Sequence, residues 1–295
     1  MERRGEILRS SVYNFLKHFQ YFSKIPVFLL IPFSASVFLS QTLFQSYSHT
    51  ISESKLELHL YQTIFGYVFS LPLSLTSLLA AKSCVIQAMN HHLQQSFISC
   101  ISLYGSLLIT HLWNLILTII INFTASLSLF FISNNPLFRQ ISWVLLSVLF
   151  TNTASICNLS LAVTSIENCC KGYQAIHKVC SIKRSRRSMA LWLALPFNLG
   201  LVAIESLFRF RIVSAYQNDF GRIGVSMVLE GLLVCYMYSV VIVLDTIASC
   251  LFIKSWESSF EAEREQAADV EILIVRPEDS VRIITANTKI IEEMH

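Results

Sequence analysis

Residues 141–166 read ISWVLLSVLFTNTASICNLSLAVTSI, residues 171–187 read KGYQAIHKVCSIKRSRR, and residues 188–208 read SMALWLALPFNLGLVAIESLF. Two apolar runs therefore flank a connector that carries Lys171, Lys178, Lys183, Arg184, Arg186 and Arg187 and no acid. A helix rises about 1.5 Å per residue, so roughly 20 apolar residues cover a hydrocarbon core of about 30 Å. Both runs are long enough to cross. Basic connectors stay on the cytoplasmic side, so this one sets the orientation of the whole chain.

Composition points the same way. The chain is 54% hydrophobic and 14% charged, whereas a soluble domain has about 25% charged residues. The apolar residues come in blocks rather than as alternating or amphipathic stripes, which makes lipid the solvent. No basic patch interleaves with aromatics in a soluble stretch, which argues against nucleic acid as a partner. The eight cysteines form no CxxC pair. They lie in or beside spans facing lipid or cytosol, so neither a disulfide framework nor a metal site is expected. No cofactor is implied. No cleavable signal peptide is evident, since the first apolar run follows a long basic lead.

Working outward, six spans are expected, at about 26–45, 59–81, 100–126, 141–166, 188–208 and 226–253. The fold class is all-α, a polytopic bundle of six transmembrane helices. Residues 1–25 carry Arg3, Arg4, Arg9, Lys17 and Lys24, with Ile7, Leu8, Val12, Phe15, Leu16, Phe19 and Phe22 at helical spacing. This pattern gives an amphipathic helix, lying on the inner membrane surface or capping the bundle. Pro26 suits a first turn and Pro32 should kink the first span. Residues 82–95 read as a short inner connector. Residues 96–131 would make about 54 Å of helix, too long for one straight crossing. They extend into the cytosol, tilt, or break near Gly105. Asn134, Asn135 and Pro136 mark a turn.

With this layout the inner segments hold twelve basic residues and the outer loops five, which puts both termini in the cytosol. The tail, residues 256–295, has ten acids and four basic residues. A helical start at 260–268 followed by a largely disordered stretch is expected, with short β-prone runs at 270–275 and 281–285.

Ionisable residues inside spans are costly and each needs a reason. On these boundaries they are His111, Glu205, Glu230 and Asp245, with no Lys or Arg deep in any span. Glu205 and Glu230 are near enough to Arg209, Arg211 and Arg222 to form interfacial ion pairs. Asp245 is deeper, about 13 Å of helix before Lys254, on one stripe with Gly231 and Tyr238. His111, Asn114 and Thr118 share one face of the third span. Ser147, Thr151, Ser155 and Asn158 share one face of the fourth. Asp245, Tyr238, His111, Asn114 and Asn158 therefore form a candidate intramembrane polar site. It is either helix-to-helix hydrogen bonding or a polar pathway. Pro72 and Pro196 interrupt the middle span of each three-helix half, an arrangement that inverted-repeat transporters share. Cys169, Cys170 and Cys180 lie beside the inner face, where they are plain thiols or palmitoylation sites. No GxSxG, Walker A, HExxH or paired soluble carboxylates occur, so no enzymatic activity is expected.

At the fourth span's end the chain reads Thr164-Ser165-Ile166-Glu167, then Gly172-Tyr173-Gln174-Ala175, then Lys178 and Lys183. This segment resembles one in a large group of plant multi-pass transmembrane proteins of unknown function. There a span ends in an SVLE-like sequence and continues through YG-x-x-A to a Lys/Arg-rich stretch. Here the tyrosine follows the glycine instead of preceding it. The resemblance implies six spans, a short acidic tail and an endomembrane (endoplasmic reticulum) or plasma membrane location, with no functional residues to carry over.

Two functions fit these observations. The first is a non-catalytic membrane protein that organises anionic lipid headgroups or protein partners through the six basic residues. The second is a small transporter or channel for protons, cations or a small solute, using Asp245 and the polar faces.

Overall fold

The computed structural model describes residues 2–48, 68, 71–90, 97–132, 136–166, 170–185, 187–214 and 224–292. The described residues are almost wholly helical and include no strand. The helices are α1 (Glu2–Lys17), α2 (Phe19–Ile25), α3 (Ile31–Ser48), α4 (Leu79–Asn90), α5 (Phe97–Ile132), α6 (Pro136–Ile166), α7 (Tyr173–Ser185), α8 (Arg187–Phe208) and α9 (Val225–Glu292). Among the described residues six stretches are long and apolar enough to cross a membrane: Phe19–Ser40, Leu71–Asn90, Leu103–Ala125, Val148–Ile166, Leu193–Val213 and Val225–Phe260. The chain is an all-α multi-pass membrane protein. Chain contacts divide it into Met1–Leu251, which holds the bundle, and Phe252–His295, which begins with the last part of α9.

The strongest sign of a lipid solvent is a broad apolar outer face on helices whose inner faces also bury polar side chains. On α5, Thr110 and Asn114 are buried at 0% and 3% exposure while Ile120 and Phe123 are 54% and 60% exposed. In α9, Ser239 is buried while Leu232 and Leu233 face outward. Water would not tolerate such a surface, since exposed apolar patches on soluble monomers rarely exceed a few hundred Å². Lipid tolerates it, and helices then join through small and polar side chains. Ser34 and Ser239 hydroxyls meet at 2.8 Å between α3 and α9. Phe38 stacks on Phe208 at 4.3 Å and meets Tyr238 edge-on at 5.3 Å, joining α3, α8 and α9.

Several expected boundaries move. Pro26 does not open the first span. It is buried inside a continuing helix, in a π turn over Pro26–Leu30 that links α2 to α3. A π turn widens the helix just before Pro32, whose ring would otherwise press on the carbonyl four residues back. The apolar stretch therefore starts at Phe19. Residues 1–25 split between α1 and α2, and Phe15, Phe22 and Ile25 join the bundle's core. Leu16 and Phe19 stay exposed.

The second helix runs to Asn90, so the inner connector expected over 82–95 is helical in its first half. Its remainder at 91–96 lies outside the described residues, as do 51–67 with most of the second loop and Lys55. A second π turn, Ser74–Leu78, follows Pro72. Its loosened Leu75 carbonyl accepts the Tyr104 hydroxyl at 2.6 Å. Residues 97–132 form one unbroken helix, which removes the suggested break at Gly105. Pro136 opens α6 as a first-turn residue. The tail is helical to Glu292, so its β-prone runs and its disorder are not found. Residues 261–268, EAEREQAA, are strong helix formers, and extending an existing helix costs far less than starting one.

The basic connector is also a helix. Ala175, Ile176, Val179 and Ile182 of α7 are buried, one apolar face at spacings of one, three and three. Gly172 leads into α7 at φ +58, a left-handed turn that glycine takes without Cβ strain. Its N–H donates to Thr110 Oγ1 at 2.9 Å, and Thr110 Oγ1 lies 3.0 Å from Thr164 Oγ1. The motif that carries the family resemblance is thus a packed joint between α5, α6 and α7.

Candidate functional site

The second helix places a lysine where the sequence boundaries allowed none. Leu79 and Ala81 through Ala88 of α4 include Lys82, which is only 9% exposed. Its ammonium donates to Asn158 Oδ1 of α6 at 2.6 Å. The Asn158 Nδ2 group donates in turn to Asp245 Oδ2 of α9. The carboxamide is oriented by its neighbours, oxygen toward the cation and NH₂ toward the carboxylate. One asparagine therefore joins a buried lysine to a buried acid and ties three helices together. The expectation that no Lys or Arg lies deep in a span is corrected by Lys82.

Lys82 and Asn158 of this cluster line a cavity of about 730 Å³, within the usual range for small-molecule sites. From α5 come His111, Asn114, Thr118 and Asn122, and from α6 Thr153, Cys157 and Asn158. Glu205 of α8 lines it as well. The apolar part is Phe33, Leu71, Leu78, Leu115, Phe150 and Leu161.

Most of these polar groups are satisfied within the bundle. Asn114 Nδ2 donates to the Cys157 carbonyl at 3.1 Å, and its Oδ1 lies 3.0 Å from Ser160 Oγ. Thr118 donates to the Asn114 carbonyl at 2.8 Å, and Thr153 to the Leu149 carbonyl at 2.8 Å. These are helix-to-helix and within-helix bonds of modest worth, on the order of 0.6 kcal/mol each across helices. Two groups differ. His111 Nε2 is buried with no hydrogen-bond partner among the described residues. Lys82 carries three N–H donors, and a single hydrogen bond engages its ammonium among the described residues.

The structure thus brings Asn158 and His111 of the anticipated set to one cavity and adds Lys82, while Asp245 stands behind the wall, bonded to Asn158. Asn114 is on the wall, with both ends of its amide used. Tyr238 is buried at 9% exposure, packed on Phe38, with its hydroxyl in hydrogen-bonding contact with Glu205. Glu205 belongs to the cavity wall, whereas Glu230 pairs with Arg211 at 3.2 Å on an exposed face. Arg222 lies outside the described residues. Lys171 is exposed and Lys178 half-buried on α7. Arg186 and the side chains of Lys183, Arg184 and Arg187 lie outside the described residues.

Sequence reading missed Lys82, the cavity role of Glu205, and Cys157 and Ser160 as the partners of Asn114. One signal pointed to Lys82: no Gly, Pro or turn cluster separates it from the apolar run before it, and the first such break is Asn90-His91-His92. Compared with protein-family models, characterised proteins and solved structures, the chain matches none.

Proposed function

We propose that this protein is a small membrane carrier that admits a polar solute to the cavity between α3, α4, α5, α6 and α8 and passes it across the bilayer unchanged. The observation that carries this reading is the burial of Lys82 on the cavity wall, linked through Asn158 to Asp245. A charge in a span costs roughly 2.5–3.5 kcal/mol or more. Well-packed apolar residues would hold the same helices at no such cost. Intramembrane charges that face a cavity therefore point to a solute or ion path.

Orientation and surroundings complete the proposal. On the observed spans the inner segments before the tail, 1–18 and 167–192, hold ten basic residues and the outer loops three, Lys55, Arg139 and Arg222, which supports cytosolic termini. The buried apolar face of α7 supports the basic residues Lys171 to Arg187 as a contact for anionic lipid headgroups, at about 1 kcal/mol per residue. The resemblance at 164–187 supports an endomembrane or plasma membrane of a plant cell.

The test is uptake into proteoliposomes containing anionic lipid, with a labelled panel of small carboxylates, amines and sugars. At least one should enter saturably, and Asp245→Asn should slow it at least about tenfold, the effect of losing one charge-assisted hydrogen bond. No saturable entry above empty vesicles would remove the carrier reading. Equal entry in the variant would remove Asp245 from it.

A further inference from the structure

Two groups in the cavity lining bear on what it takes; this inference rests on the carrier reading. They are Lys82, with N–H donors beyond the one given to Asn158 at 2.6 Å, and His111, whose buried Nε2 has no described partner. Both side chains line the same cavity. The other polar groups near them are already engaged: Asn158 by Lys82 and Asp245, and Asn114 by Cys157 and Ser160. A buried donor without an acceptor costs about 1–3 kcal/mol, more for a charged one. The site is therefore completed by a group that brings oxygen acceptors and negative charge.

The lining also holds the apolar side chains of Phe33, Leu78, Leu115 and Phe150, with Thr118, Asn122 and Thr153 among them. Glu205 is part of the same wall and would repel a second acidic group on the ligand. We infer that the cavity binds an organic monocarboxylate, its two oxygens accepting from the Lys82 ammonium and the His111 Nε2–H while an apolar body packs against the apolar lining. No bond is made or broken on binding.

The experiment is calorimetric titration of the full chain in nanodiscs with three ligands that share a body: phenylacetate, phenylacetamide and phenethylamine. Phenylacetate should bind at least about tenfold more tightly than the amide, the worth of one hydrogen bond to a charged group, and the amine should not bind. Lys82→Met and, separately, His111→Leu should each weaken phenylacetate about tenfold or more. Lys82→Met leaves Asp245 uncompensated, so the double variant Lys82→Met/Asp245→Asn, which removes both charges, is measured beside it. Phenylacetate binding should be lost there too.

Equal binding of acid and amide, preference for the amine, or wild-type phenylacetate affinity in the double variant each overturns the inference. A palmitate arm separates the sources: tighter phenylacetate means a solute from water, and tighter palmitate means an acid drawn from the bilayer. Carboxylate binding with no vesicle uptake would leave this inference standing and remove the carrier reading. Saturable uptake of an amine or sugar untouched by Lys82→Met would do the reverse.

Discussion

Lys82→Met alone should destabilise the bundle by about 3–5 kcal/mol, the usual cost of removing one partner from a buried charge pair. Methionine nearly matches the lysine stem in length, so the loss is electrostatic rather than a cavity effect. What remains is Asp245, still bonded to Asn158, with no cation near it in the interior. The double variant Lys82→Met/Asp245→Asn should recover most of that loss, because two neutral amides at 158 and 245 can bond to each other. Denaturant unfolding in detergent micelles, run as a double-mutant cycle, should give a coupling energy above about 1 kcal/mol. Additive losses would mean that the asparagine relays nothing between α4 and α9.

Gly172→Ala should cost about 2–5 kcal/mol. The left-handed φ of +58 adds about 1–2 kcal/mol for a residue with a Cβ. The new methyl would stand 2.9 Å from Trp113 Cδ1 and 3.3 Å from Ile109 Cγ2, and overpacking of that kind adds about 1–3 kcal/mol. Gly105→Ala is the control. Nothing lies within 4 Å of a Cβ there, and alanine in a helix interior stabilises by roughly 0.5–1 kcal/mol relative to glycine. Opposite signs for the two variants in thermal unfolding are the expected result. A neutral Gly172→Ala would mean that the joint between α5, α6 and α7 is looser than drawn here.

Much of this architecture was legible from one dimension. Long apolar blocks such as 141–166 and 188–208 declare spanning helices because lipid demands internally bonded backbone over about 30 Å. The Arg211–Glu230 pair was also foreseeable, since both lie at helix ends separated by a short loop. Less visible was anything that depends on where along a helix the bundle, rather than the lipid, begins. Lys82 follows Ala80 and Ala81 and reads locally as a polar end, and only its packing against Asn158 reveals an interior residue. Glu205 had basic neighbours in sequence, and in space it lines the cavity instead. The basic connector hid its helix because charge content drew the eye from Ala175, Ile176, Val179 and Ile182, whose spacing is helical. The tail's β-branched runs at 270–275 and 281–285 lost to continuation of α9, a cooperative effect that local propensity does not register.

Asp245 and Asn158 were recognised from sequence as polar residues in apolar surroundings, and that reasoning is sound for any intramembrane acid. Their partner was not, because contact between α4, α6 and α9 joins residues 76 and 87 positions apart. No periodicity within one helix encodes it.

The measurement that bears most directly on the account is site-resolved labelling of the full chain in nanodiscs with a membrane-impermeant, water-soluble thiol reagent, read by mass spectrometry. Two variants are compared. Ala154→Cys places a thiol on the cavity wall. Ile120→Cys places one on the outward face of α5, where the native side chain is 54% exposed. The account predicts that the cavity thiol reacts and the outward one, sheathed in lipid, does not. Rapid labelling at 120 with none at 154 would mean that water bathes the outer face and the interior is sealed, and the membrane bundle with its charged cavity would have to be given up.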